Sequence, residues 1–178
     1  MQRFHRNLVL VMTVILMIPS LSLASDFQET HAFSLLLQYT VYDEGTWSQN
    51  AKNPDIQYHY PEAGGMLMVQ CTPMDVSPYT EETVYENTLP TLMKVTDGAS
   101  KNCVRYFEKR FICNACYALH SKAAFTLNGE DVHDNTYFIV TPACLVSLHF
   151  IDSTSLGSYP QESIPYILAS LDFLANAR

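Results

Sequence analysis

The hydrophobic pattern along the chain consists of one unbroken apolar run followed by shorter periodic blocks. The run covers residues 8–18. Arg3 and Arg6 precede it, Pro19 and Ser20 close it, and the small residues Ser22 and Ala24 follow. A positive start, a short apolar stretch and small residues at the two positions read by a signal peptidase describe an export signal, with cleavage expected between Ala24 and Ser25. The run is too short to span a bilayer comfortably, which disfavours the competing reading of an uncleaved anchor. Residues 1–24 are therefore expected to be a cleaved signal peptide, and residues 25–178 a single extracytoplasmic domain. No later segment is long and apolar enough to suggest a transmembrane helix.

Within that domain, residues 27–42 return apolar side chains at a loosely helical spacing. Asp26 and Glu29 are placed as a capping box, so a helix is expected. A strand over 33–42 is the alternative, because Tyr39, Thr40, Val41 and Tyr42 are strand formers. Residues 43–64 are broken by Gly45, Pro54, Pro61 and Gly64 and read as loop, with a short strand over 56–60. Residues 65–72 form a strand pattern. Thr80–Tyr85 can open a short helix that Pro90 would break. Residues 101–124 give the most persuasive helix: Val104, Phe107, Phe111, Ala115, Ala118 and Leu119 keep returning to one broad face. Strands are expected over 125–127, 136–140 and 145–151. Asn128-Gly129 is a turn signal, followed by an acidic loop over 130–135. Residues 162–177 close the chain as a helix, with Pro165 in its first turn. The expected fold is α+β, a small mixed domain with helices packed on an antiparallel sheet and stabilised by disulfides.

Charge narrows the class of partner. The 178 residues carry 18 acidic and 10 basic side chains, a net charge of −8. Loss of the signal peptide would remove Arg3 and Arg6 and no acid, leaving −10. Such a balance argues against nucleic-acid binding, which normally needs a basic footprint. Eight acids and only one base, Lys52, fall within residues 43–86. Trp47, Tyr58 and Tyr60 lie in the same stretch, and large aromatics are effective interface anchors.

Five cysteines remain after cleavage: Cys71, Cys103, Cys113, Cys116 and Cys144. In an exported chain structural disulfides are the leading explanation. Cys71 with Cys103, and Cys144 with Cys113 or Cys116, are the expected links. The fifth thiol is left to be buried, oxidised or joined to another chain, including a second copy. Cys113-Asn114-Ala115-Cys116 also has the spacing of a redox dithiol, in which Cys113 would attack and Cys116 resolve. Only 25 residues separate Cys116 from Pro142, too few for the usual oxidoreductase arrangement. Cys113, Cys116 and His120 could approach one metal, with Cys103, Cys144 or His149 to complete a tetrahedron, but the paired-knuckle spacing of a strong zinc motif is absent. The acidic loop lacks the calcium-loop pattern. No nucleotide-binding, zinc-protease or nucleophile-elbow motif occurs, and no cofactor or metal is assigned.

The expectation is an exported, periplasmic or secreted, non-catalytic module that binds another protein. It would act as an accessory subunit of a bacterial envelope assembly or as an inhibitor, with Trp47, Tyr58 and Tyr60 as its contact surface. The alternative is a thiol–disulfide oxidoreductase using Cys113 and Cys116.

Overall fold

The computed structural model of the protein describes residues 27–33, 36–99 and 101–174. The predicted signal peptide lies outside them. Among the described residues strand far outweighs helix, so the expected α+β domain is corrected to a mostly β fold. The strands are β1 (Glu29–Phe33), β2 (Leu37–Val41), β3 (Gly45–Gln49), β4 (Ile56–Pro61), β5 (Met66–Pro73), β6 (Lys101–Cys113), β7 (Cys116–Leu127), β8 (Glu130–Val140) and β9 (Cys144–Ser153). Two helices carry labels here, α1 (Leu89–Ala99) and α2 (Ile164–Ala169). β1 and β2 pair as an antiparallel hairpin, and the other seven strands form one antiparallel sheet in the order β3-β4-β5-β9-β8-β7-β6.

Two meanders build the large sheet. One is β3–β4–β5 and the other β6–β7–β8–β9, and they meet where β9 pairs with β5. The link from β5 to β6 must cross four inter-strand steps, about 19 Å at the usual strand spacing. A helical segment over residues 81–99 makes that crossing. Pro90 does not break it. Proline lacks an N–H and crowds the preceding turn. The helix widens just ahead of it, over Thr83–Thr88, where the Leu89 N–H donates to the Val84 carbonyl five residues back. A local π-turn absorbs the misfit.

The expected helix over 101–124 is instead the β6–β7 hairpin. Cys113 pairs with Cys116 across a two-residue turn, and both turn residues, Asn114 and Ala115, have positive φ (47° and 65°). That is the backbone of a tight hairpin turn whose twist matches the flanking strands. Asn128-Gly129 makes the next hairpin, with Leu127 opposite Glu130, so the expected acidic loop lies inside β8. The alternative strand reading of 33–42 agrees in part with β2. The final helix stops at Ala169. The chain then extends, Asp172 exchanging backbone hydrogen bonds with Gln38 and Leu174 donating to Leu36.

The sheet is covered on both faces. On one, Leu67, Val69, Val146, Leu148 and Phe150 pack with Leu37, Tyr39 and Val41 of β2 and with Ile164 and Ile167 near α2. On the other, Leu119, Phe138, Val140 and Leu145 pack under Val84, Tyr85 and Leu89 of the helical crossing. β9 is central and sandwiched, which explains why it reads as a nearly continuous buried run.

Disulfides do not staple this core. No described cysteine pair lies at disulfide distance, which corrects the expected links. Cys71 and Cys103 are on β5 and β6, four inter-strand steps apart. Cys144 is three steps from Cys113 and two from Cys116, about 14 and 10 Å across the sheet. Bridging needs Cα atoms within about 7 Å.

Candidate functional site

The cysteines form two local groupings and one outlier. Cys71 and Cys144 are neighbours on β5 and β9, both buried. Their thiols interact: Cys144 is drawn down to about 7, first by a hydrogen bond from Cys71, with Thr141 helping against burial. Cys71 is pushed up by the same contact and by burial. Cys113 and Cys116 face each other across the hairpin turn, 7% and 3% exposed. Burial, followed by the nearby Cys116, pushes Cys113 up to about 11. A reactive dithiol needs the opposite, an accessible first cysteine whose thiolate is favoured by a helix end or a positive charge. Here the turn is fastened to the C-terminal segment, Asn114 Nδ2 donating to the Leu171 carbonyl at 2.6 Å. Cys103 lies apart, half-buried on β6.

The three aromatic candidates do not form one patch. Trp47, Tyr58 and Tyr60 are neighbours in register, but Trp47 opposes His59, whereas Tyr58 and Tyr60 oppose Ser48 and Thr46. Alternation then sends Trp47 to one face and the tyrosines to the other. Trp47 packs inward, its ring 4.6 Å from His59 and 3.6 Å from His31. His59 is fully buried. Burial, and then the neighbouring His31, hold it down to about 4, so it is neutral in this stack. Trp47 is thus a structural residue at the margin of the core.

Tyr58 and Tyr60 stack side by side, 6.5 Å between rings. They are half-buried, as are Met66 and Met68 beside them on β5. The apolar residues packed under the helical crossing come from β7, β8 and β9. This leaves the β4–β5 end of the same face as a partly open shelf of tyrosine and methionine.

At the inner margin of the shelf lies a cavity of about 200 Å³, lined by Met68, Gln70, Leu92, Ser147 and His149 among others. Its floor is polar. His149 Nδ1 is 2.8 Å from Asp134 Oδ2 and 3.2 Å from Thr136 Oγ1. His149 and Asp134 are only 5% and 7% exposed. Such a carboxylate–imidazole contact fixes the ring of a residue that lines the cavity. Sequence reasoning offered His149 only as one completing ligand of a Cys113/Cys116/His120 metal site and placed Asp134 in a loop, so the pair itself was missed. The available signal was a polar residue, His149, within an otherwise apolar strand. A second recess, of about 340 Å³, lies between the helical crossing and β6, where Arg110 stacks on Tyr85 and pairs with Glu86. Among the described residues no cluster of three or more His, Cys, Asp or Glu side chains forms a metal site. No helix among them is long and apolar enough to cross a membrane.

No family model matches the chain. No curated protein matches its sequence. Its fold does have a likeness among solved structures. The solution structure of cyanobacterial PsbP (CyanoP) from Synechocystis superposes with a TM-score of 0.59 at 10% identity, over 86% of this chain and 95% of that one. A protein of unknown function from Pseudomonas aeruginosa, PA94, aligns at a TM-score of 0.40 and 10% identity, over 78% of this chain and 86% of that one.

Proposed function

We propose that this protein is an exported, non-catalytic accessory module that binds another protein through the tyrosine–methionine shelf of its large sheet. The observation that carries this reading is the stacked Tyr58–Tyr60 pair, half-buried beside Met66 and Met68 at the end of the face where the packed apolar layer stops. Rigid aromatics with few rotatable bonds lose little entropy when a partner covers them, and they dominate interface energetics. The shelf belongs to the strongly acidic stretch 43–86, which favours a partner with a basic rim. A place as accessory subunit of a bacterial envelope assembly is the form we favour, and inhibition of an envelope or secreted enzyme is the other. The buried, high-pKa Cys113 argues against thiol–disulfide exchange as the activity.

The test is a pull-down from the envelope fraction of the source cell, using the exported form of the chain. Wild-type protein and a Lys109→Ala control on the far strand are expected to retain the same partner. Tyr58→Ala/Tyr60→Ala is expected to lose it while keeping the wild-type circular dichroism and melting profile. Undiminished capture by the folded double variant would reject this surface.

A further inference from the structure

The methionines of the shelf, with a histidine at its inner margin, also make up a metal-type donor set. Met66 and Met68 are two residues apart on β5, so both side chains leave the same face. Met68 stands directly opposite His149 on β9, and both line the 200 Å³ cavity. Directly opposed residues have Cβ atoms about 5 Å apart. With three rotatable bonds, a methionine can bring its sulfur to the imidazole opposite. Alternate residues on a strand are about 7 Å apart, so Met66 can close on the same point from along the strand.

The histidine is prepared for such a role. Its Nδ1–H donates to Asp134, which leaves the Nε2 lone pair as the coordinating group. Asp134 is almost fully buried, and its second oxygen, Oδ1, has no hydrogen-bond partner. A cation on the ring would place positive charge beside this unpartnered carboxylate oxygen. The set of two thioethers and one imidazole decides which cation. Hard ions such as calcium and magnesium require oxygen ligands. Thioethers select soft, monovalent copper.

We propose that Met66, Met68 and His149 form a binding site for Cu(I), with Asp134 as the residue that orients His149. No electron transfer is involved: the ion enters and leaves as Cu(I). The inference goes beyond the protein-binding reading and does not depend on it.

The experiment uses the exported chain, reduced and anaerobic, labelled with [13C-methyl]methionine. It is titrated to saturation with Cu(I), and in parallel with Ag(I), a redox-inert probe of the same softness. Thiols will also take these ions, so two readouts separate the sites. The Met66 and Met68 methyl resonances, assigned by Met66→Leu and Met68→Leu, are expected to shift together with one equivalent of metal. The Met66→Leu/Met68→Leu variant, in which the volume-conserving exchange preserves packing, is expected to bind one equivalent fewer. Asp134→Asn is expected to weaken that equivalent by about 10–100-fold. Unmoved methionine methyls, or equal stoichiometry in the wild type and the double leucine variant, would mean thiol binding only and overturn the proposal. Loss of the site from the leucine variant with no effect of His149→Gln would also overturn it, since the imidazole would then not be a ligand.

Discussion

Acidification should destabilise this fold through His59, and the size of the effect follows from its burial. The ring is fully buried on β4, stacked on Trp47 and close to His31. Burial acts first and the like charge of His31 second, while Glu29 and the Asp43 backbone oppose them weakly. The net result is a pKa moved from 6.5 to about 4. An unfolded chain takes up this proton near pH 6.5, whereas the folded chain resists until about pH 4. The penalty is therefore absent above pH 6.5, grows as pH falls, and is complete below about pH 4. Its full size is about 3 kcal/mol, at about 1.4 kcal/mol per pKa unit. That is a large part of the roughly 5–15 kcal/mol that holds a typical domain together. Lowered pKa values at His31 and His120 act in the same direction. The raised carboxyl of Asp43 acts the other way, adding stability as pH falls. Urea unfolding at pH 7, 6, 5 and 4.5 should show a falling midpoint at constant m-value. His59→Phe keeps an aromatic ring but cannot titrate. Whatever its absolute stability, its pH slope should be flatter by most of that roughly 3 kcal/mol. An equal slope in the variant and the wild type would refute the assignment.

Three further predictions concern other links between residue and fold. Gly65 has φ +74°, and a Cβ there would sit 2.3 Å from the Tyr159 nitrogen. Gly65→Ala should lose about 2–4 kcal/mol in urea unfolding, from left-handed strain plus backbone overlap. The Tyr85 hydroxyl lies 3.0 Å from the carbonyls of both Phe111 and Ala118, tying the helical crossing to the β6–β7 hairpin. Tyr85→Phe should cost about 1–3 kcal/mol by the same measurement, because buried carbonyls lose their donor. Under native conditions a thiol reagent followed by mass spectrometry should modify half-buried Cys103 first. The four buried cysteines should follow more slowly by more than about tenfold, because each must wait for local opening. Early modification of Cys113 would revive the oxidoreductase reading.

The strands that could be read from the sequence are those whose alternation is undisturbed. β5 alternates cleanly between Leu67, Val69 and Cys71 on the core face and Met66, Met68 and Gln70 on the other. β6 does not. Register shifts between Lys101 and Val104 and between Arg105 and Phe107 insert extra residues into the strand. An inserted residue changes the face of everything after it, so the period of two is lost. What remains is Val104, Phe107 and Phe111, spaced by three and four, which imitates a helix. The turn that would have corrected the reading is also disguised. Asn114-Ala115 adopts positive φ at both positions, yet alanine is not the residue that usually announces such a turn. The end of the chain shows the converse. Ile164, Ile167 and Leu168 do keep a helical spacing, but Leu171 and Phe173 are buried as alternate residues of an extended segment beside β2.

The same logic separates what was legible at the shelf from what was not. Aromatic composition marked residues 43–86 as an interaction surface, but composition has no direction. A strand sends neighbours to opposite sides. That single fact removes Trp47 from the patch and adds Met66 and Met68, two residues the sequence offered only as part of a strand. His149 becomes meaningful for the same reason. In β9 it occupies a position on the face shared with Ser147, where alternation demands a side chain under the edge of the helical layer. Burying an imidazole and a carboxylate together is costly unless each satisfies the other. A pair of apolar residues would stabilise the same position more simply. The proposed ligand therefore gives the His149–Asp134 pair, beside a cavity that His149 shares with Met68, a reason that stability alone does not supply.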